Sequence, residues 1–293
     1  MISTHEITLE RPVAVVQESA NAPIKSILFV IHDDSELESR LQAALTLARA
    51  CTAHLHLLHV IPVQAYTVSD VYGGMFASGA IADILQREAA KTEARLETQL
   101  AQEDVSWSYE VTTSLVVPEL LKNGALADLV FISRQPAWHE FGRTGPALLG
   151  ELVCSMRTPL CVLGDRAQSF NPFGAAAIAW NGSIESANAV RSAIGLLRMA
   201  KQVRVVRLTE EGDASFPDVR LLEYLSRHGV SAELECARPK RDAASAIVDF
   251  AVGADAEYLV MGGYSHSRAG EYFFGGVTRE LLQTCPVSLV LGR

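Results

Sequence analysis

The residues best placed for chemistry lie in the run Met261-Gly262-Gly263-Tyr264-Ser265-His266-Ser267-Arg268-Ala269-Gly270-Glu271-Tyr272-Phe273-Phe274-Gly275-Gly276-Val277-Thr278-Arg279-Glu280. One glycine pair follows a predicted strand. A second pair opens a predicted helix, whose buried face is marked by Val277, Leu281 and Leu282. Glycines at a helix start let a ligand approach the backbone closely. The free N–H groups and the positive end of the helix dipole there suit a phosphate. Thr278, in the first turn, can donate its hydroxyl to a phosphate or cap the helix. From mechanism alone two readings stay open, a phosphate cradle and an ordinary glycine-rich loop. Arg268 and Arg279 flank the segment, either to pair with phosphates or to sit in solvent. Glu271 and Glu280 stand beside them.

Other chemistries lack their residues. There is no G-x-S-x-G elbow for a hydrolase nucleophile. No G-x-G-x-x-G follows a predicted first strand, and no G-x-x-x-x-G-K-[ST] occurs. His54, His56 and His59 share a predicted strand, with His54 and His56 on one face. No cysteine or carboxylate cluster accompanies them in sequence, so a metal site is not expected. The five cysteines form no C-x-x-C pair and are read as reduced thiols, with Cys285 as an apolar filler.

These residues need elements to position them, and the elements are written twice. Thr158-Pro159-Leu160-Cys161-Val162-Leu163-Gly164 and Cys285-Pro286-Val287-Ser288-Leu289-Val290-Leu291-Gly292 end alike, their prolines 127 positions apart. Upstream, Ala127-Asp128 and Ala254-Asp255 each precede an apolar run, and Ser26–Ile31 parallels Ala175–Trp180. Three such pairs in one order indicate a tandem duplication. Continuous apolar runs predict strands buried on both faces. They fall near 26–31, 54–60, 106–112, 129–133 and 160–163, then near 175–180, 203–208, 231–236, 258–262 and 287–291. Helical spacing joins Leu37, Leu41, Ala44, Leu45 and Ala48, and likewise Ala187, Val190, Ile194 and Leu197. Ile81, Ile84, Leu85, Leu96 and Leu100 mark a longer helix in the first unit only. Strand–helix alternation predicts an α/β chain of two tandem, doubly wound, five-stranded parallel-sheet domains. The boundaries are a polar arm at 1–23, a first domain at 24–166, a linker at 167–173 and a second domain at 174–293. Residues 64–80 read as a mobile glycine-containing loop over the carboxyl edge of the sheet.

The 293 residues, 49% hydrophobic and 20% charged, suit two globular domains. No apolar run reaches the roughly 18 residues that span a bilayer. The first residues, with Glu6, Glu10 and Arg11, show no apolar leader. Residues 1–170 hold 12 Lys+Arg against 20 Asp+Glu, whereas 171–293 hold 13 against 14. The balance disfavours a nucleic-acid partner, and the lack of a spanning apolar run argues against a membrane partner. It also makes the second half the better host for a small anion.

The segment after Met261 resembles the nucleotide loop of the universal stress protein family, written G-x2-G-x9-G-[S/T]. Ala179-Trp180-Asn181-Gly182-Ser183 is similar to that family's V-D-G-S signature after the first strand. The resemblance runs over both units from about residue 24. It implies an adenine nucleotide alpha hydrolase-like, Rossmann-like fold and a cytoplasmic stress-response regulator. It also implies an adenine nucleotide (ATP, ADP or AMP) with Mg2+ as cofactors. Gly262 matches the first glycine, Ser265 stands at the second, Gly275 matches the third, and Gly276 replaces the Ser or Thr. Tyr264 lies within the loop, and Val277 and Thr278 continue the helix start. Ala179 and Asn181 stand at the adenosine contact, Leu208 faces the adenine ring, and Met261 lines the same pocket. Trp180 either stacks on adenine or fills the core.

Ser265 adds a side chain where backbone approach is needed, and Gly276 removes a hydroxyl donor. Together they lower affinity about ten- to a hundredfold. The first unit departs further. Gly142, Gly145 and Gly150 miss the loop spacing, Glu140 opposes an anion, and His32-Asp33-Asp34-Ser35 is a shifted version of the first-strand turn. It reads as a degenerate, structural copy. In single-domain relatives the last strands pair between subunits. The resemblance therefore implies an intramolecular pseudo-dimer through Leu160–Leu163 and Val287–Leu291, with homodimers of chains as a further option. No well-placed general base is evident, so slow ATP hydrolysis or autophosphorylation is the most that is expected. The alternative is a scaffold of the same fold that binds no nucleotide. An adenosine-phosphate-using enzyme would need a second substrate that the sequence does not name.

Overall fold

The computed structural model describes residues 9–11, 23–62, 67–69, 75–77, 79–136, 138–140, 143–164, 170–208, 217–237, 242–263 and 276–293. In the first unit the strands are β1 (Leu9–Arg11), β2 (Ser26–Val30), β3 (His54–Val60), β4 (Thr67–Ser69), β5 (Met75–Ala77), β6 (Ser106–Thr112), β7 (Leu129–Ile132), β8 (His139–Glu140), β9 (Arg143–Thr144) and β10 (Leu160–Val162). Its helices are α1 (Leu37–Cys51), α2 (Gly79–Leu100), α3 (Val116–Gly124) and α4 (Gly145–Ser155). The second unit has β11 (Ala175–Trp180), β12 (Gln202–Leu208), β13 (Ala232–Ala237), β14 (Ala256–Gly262) and β15 (Ser288–Gly292). Between them lie α5 (Ile184–Ser192), α6 (Ile194–Leu197), α7 (Asp218–Arg227), α8 (Ala243–Gly253) and α9 (Gly276–Thr284).

One sheet of eleven strands runs β1-β6-β3-β2-β7-β10-β15-β14-β11-β12-β13. Read outward from the centre, β10-β7-β2-β3-β6 and β15-β14-β11-β12-β13 follow the same order, and all pairs within each set are parallel. The two sets meet antiparallel, with Leu160 opposite Leu291, Cys161 opposite Val290 and Val162 opposite Leu289. The predicted last-strand association is thus made within one chain, and it covers ladder groups that would otherwise be exposed.

The parallel strands are continuous apolar runs because helices cover both faces. One core face carries Phe29, Leu55, Leu57 and Phe131 with Ile178, Val203 and Val260. The other carries Leu28, Val30 and Val130 with Ala177, Leu259 and Leu289. Phe170, in the predicted linker, bridges the units: its ring lies 5.9 Å from Phe131 and 5.7 Å from Tyr258.

Three features differ from the sequence expectation. Leu9–Arg11, in the arm, pairs antiparallel with β6. The segment read as a loop over 64–80 contains the hairpin β4–β5, with Val68 opposite Phe76. The helix expected from Ala187 to Leu197 breaks at Ala193, whose φ and ψ are −88° and 3°.

Candidate functional site

At the carboxyl edge of the second unit, β11 runs into an Asx turn. The Asn181 Oδ1 accepts the Ser183 N–H at 3.1 Å, and Gly182 sits at φ +71°. Ser183 then caps α5, its Oγ accepting from the Ser186 N–H at 3.1 Å. Asn181 is exposed beside this turn.

Strand alternation decides which neighbours join it. Ala179, Leu208, Met261 and Val277 all pack against one core cluster, on the α8–α9 side of the sheet. Ala179 and Met261 are register partners. Trp180 points to the opposite face. It is buried in the other cluster, and its indole Nε1 donates to Asp218 Oδ1 at 2.9 Å. Asp218 also pairs with Arg207.

The helix start has room. Among the described residues, a Cβ added at Gly276 meets nothing within 4 Å, while Thr278 in the same turn is buried. The first glycine pair has a different environment. A Cβ on Gly262 would stand 2.7 Å from the Ser186 backbone N, so this glycine lets the first turn of α5 close onto β14. A Cβ on Gly263 would stand 2.2 Å from Val153 Cγ1 of the first unit. Tyr264, Ser265 and Gly275, with Arg268 and Glu271, lie outside the described residues.

The equivalent edge of the first unit is filled by its own side chains. Arg40 Nη1 lies 2.8 Å and 3.0 Å from the two carboxylate oxygens of Asp34, and Nη2 donates to the His32 carbonyl at 2.8 Å. Asp34 also accepts from Ser133 Oγ, at the end of β7, at 2.9 Å. Burial pushes the Asp34 carboxyl up, but hydrogen bonding and charge from Arg40, helped by Ser133 and the Glu36 N–H, outweigh it and hold it below the usual carboxylate value. Burial lowers His32 despite the attraction of Asp34, and its ring meets Trp138 edge-on at 5.8 Å. Glu140 is buried and accepts the Val116 N–H at 2.6 Å.

The start of α4 is closed as well. A Cβ on Gly145 would stand 1.5 Å from the Pro136 carbonyl oxygen, which therefore lies against the first residue of the helix. A carbonyl oxygen against the helix start disfavours an anion there. Arg40 and Ser133 were not singled out from the sequence. The one available signal was an arginine among the buried positions Leu37, Leu41 and Ala44, six residues after Asp34.

The histidines of β3 are used across the ladder. His54 lies 2.8 Å from both Ser106 Oγ and Ser108 Oγ. His56 lies 2.9 Å from Ser108 Oγ and 3.3 Å from Glu110, and His59 lies 3.1 Å from the Tyr109 hydroxyl on the other face. Among the described residues no group of three or more His, Cys, Asp or Glu is arranged to hold a metal ion. None of the described helices is long and apolar enough to cross a membrane.

Comparison with known proteins agrees with this architecture. Residues 23–122 match the model of the Universal stress protein family. A universal stress protein from Archaeoglobus fulgidus DSM 4304 is similar over 93% of this chain and 99% of its own, at 13% identity and a TM-score of 0.67. A protein from Pseudomonas aeruginosa PAO1 described as functionally unknown is similar over 93% of this chain and 94% of its own, at 18% identity and a TM-score of 0.55. At these identities the likeness is one of fold. No curated protein matches the sequence.

Proposed function

We propose that the chain, residues 23–122 of which match the Universal stress protein family model, is a member of that family whose second unit binds an adenine nucleotide as a stress-response regulator. The observation that carries this reading is the exposed first turn of α9 at Gly276, where a Cβ would meet none of the described residues within 4 Å, together with the apolar residues Ala179, Leu208, Met261 and Val277 of one core cluster. The adenine ring would lie on that floor and the phosphates at the helix N-terminus, where N–H groups and the dipole favour negative charge. Mg2+ would travel with the phosphates. The reading assigns binding, not turnover, to these residues, and it leaves the first unit as structural support. A cytoplasmic setting follows from the family premise alone.

Calorimetry with ATP, ADP and AMP on the wild type and on Gly276→Asp tests it. The new side chain stands at an exposed position and meets none of the described residues, and an acidic residue suits a helix start, so the fold is kept. The carboxylate repels the phosphates, and ATP affinity is expected to fall at least about tenfold. Equal affinity in both proteins, or no binding to the wild type, would overturn the reading.

One observation favours a second reading, a paired scaffold without nucleotide. Gly262 and Gly263 are both explained by packing, against α5 and against Val153. Under that reading no nucleotide heat is seen, and Gly276→Asp changes nothing but helix stability.

A further inference from the structure

A cleft of about 460 Å³ opens between α5 and α7, on the face of the sheet opposite Ala179 and Met261. Its size falls within the range of small-molecule sites, roughly 300–1,000 Å³. The floor is Trp180 with Val190 and Leu221, all buried. The Trp180 N–H is already spent on Asp218, and Asp218 is neutralised by Arg207. The floor therefore presents ring and aliphatic surface rather than a donor or a charge.

The rim is basic. Arg191 stands on α5, and Arg220 and Arg227 stand seven residues apart on α7, so they project from the same side two turns apart. Arg227 is paired with Glu223 at 3.1 Å. Neither Arg191 nor Arg220 is ion-paired to a carboxylate among the described residues. Two exposed guanidinium groups, with no ion pair among the described residues, thus crown an apolar floor in a chain whose net charge is −9. The counterpart of α7 in the first unit, α2, has 22 residues where α7 has 10.

We propose that this cleft binds a small aromatic organic anion, its ring laid on Trp180 and Leu221 and its carboxylate or sulfonate held by Arg191 and Arg220. Guanidinium groups bind such anions through paired N–H donors and also stack on aromatic planes. The proposal does not rest on the nucleotide reading, because Trp180 lies on the opposite face of the sheet from Ala179 and Met261 and none of its other residues is assigned to that site.

The probe is anilinonaphthalenesulfonate, with its uncharged analogue N-phenylnaphthylamine, titrated by fluorescence against the full chain. Saturable binding of one sulfonate per chain is expected, with the neutral analogue at least about tenfold weaker. Replacing both exposed arginines (Arg191→Glu with Arg220→Glu) should weaken the sulfonate by about tenfold or more and leave the neutral analogue within about twofold. Ala187→Trp, which fills the cleft, should remove both. The arginine variant touches no buried residue, so it decides the matter even if the filled variant fails to fold. Equal affinity for the two probes, an unchanged sulfonate affinity in the arginine variant, or displacement of the sulfonate by saturating ATP would overturn the proposal.

Discussion

Arg40 is almost wholly buried, 1% exposed, and its guanidinium holds the Asp34 carboxylate at 2.8 Å and 3.0 Å at the mouth of the first unit. This pair occupies ground that the second unit leaves to an exposed Asn181 turn. Removing one partner strands the other charge. Asp34→Ala should therefore cost about 3 kcal/mol in chemical denaturation. Asp34→Ala combined with Arg40→Met should be more stable than Asp34→Ala alone, since the buried charge goes with its partner. A single-variant loss below about 0.5 kcal/mol would mean that solvent already screens the pair.

Acid should destabilise the fold before the carboxylates titrate. Burial lowers the His59 ring from 6.5 to about 4, against the attraction of Asp33 and with the help of His32. The unfolded chain then binds a proton between pH 6.5 and pH 4 that the folded chain refuses, so stability falls as pH falls through that window. Burial lowers His32 and His56 as well, with the same sign. Denaturant midpoints from pH 7 to pH 4 should decline, and His59→Asn should remove about one proton from the slope. A slope unchanged by the substitution would assign the acid sensitivity elsewhere.

The seam between the units depends on close backbone approach. A Cβ on Gly164 would stand 2.3 Å from the Pro286 carbonyl oxygen, which is backbone and cannot swing away. Gly164→Ala should cost about 1–3 kcal/mol. Cys161, buried in the seam opposite Val290, should then react with a thiol reagent faster than in the wild type, where burial also pushes its pKa up. An unchanged melting temperature and unchanged Cys161 protection would show the seam to be pliable.

Much of this fold was legible because a strand buried on both faces leaves a plain mark: Leu129–Ile132 and Leu289–Leu291 contain no polar residue to hide. The hairpin at Thr67–Ala77 was less so, although Gly73-Gly74 lies between its strands as a turn signal. The break at Ala193 was hidden because Val190, Ile194 and Leu197 keep helical spacing across it. At the site, alternation along β11 separates Ala179 from Trp180, and the sequence could not say which of them faces the edge pocket. The Asp34–Arg40–Ser133 cluster joins residues up to 99 positions apart, so it is a product of the sheet and not of local pattern. Likewise Gly262 resembles a phosphate glycine by spacing, while its Cβ position is claimed by α5.

The asymmetry between the two edges is most directly tested by counting nucleotides. Equilibrium dialysis of the full chain against labelled ATP should give one nucleotide per chain at saturation, and Asp34→Ala should leave that number unchanged. A stoichiometry of two would mean that the first unit is open despite Arg40 and Pro136. A stoichiometry of zero would mean that the open turn at Gly276 holds no nucleotide.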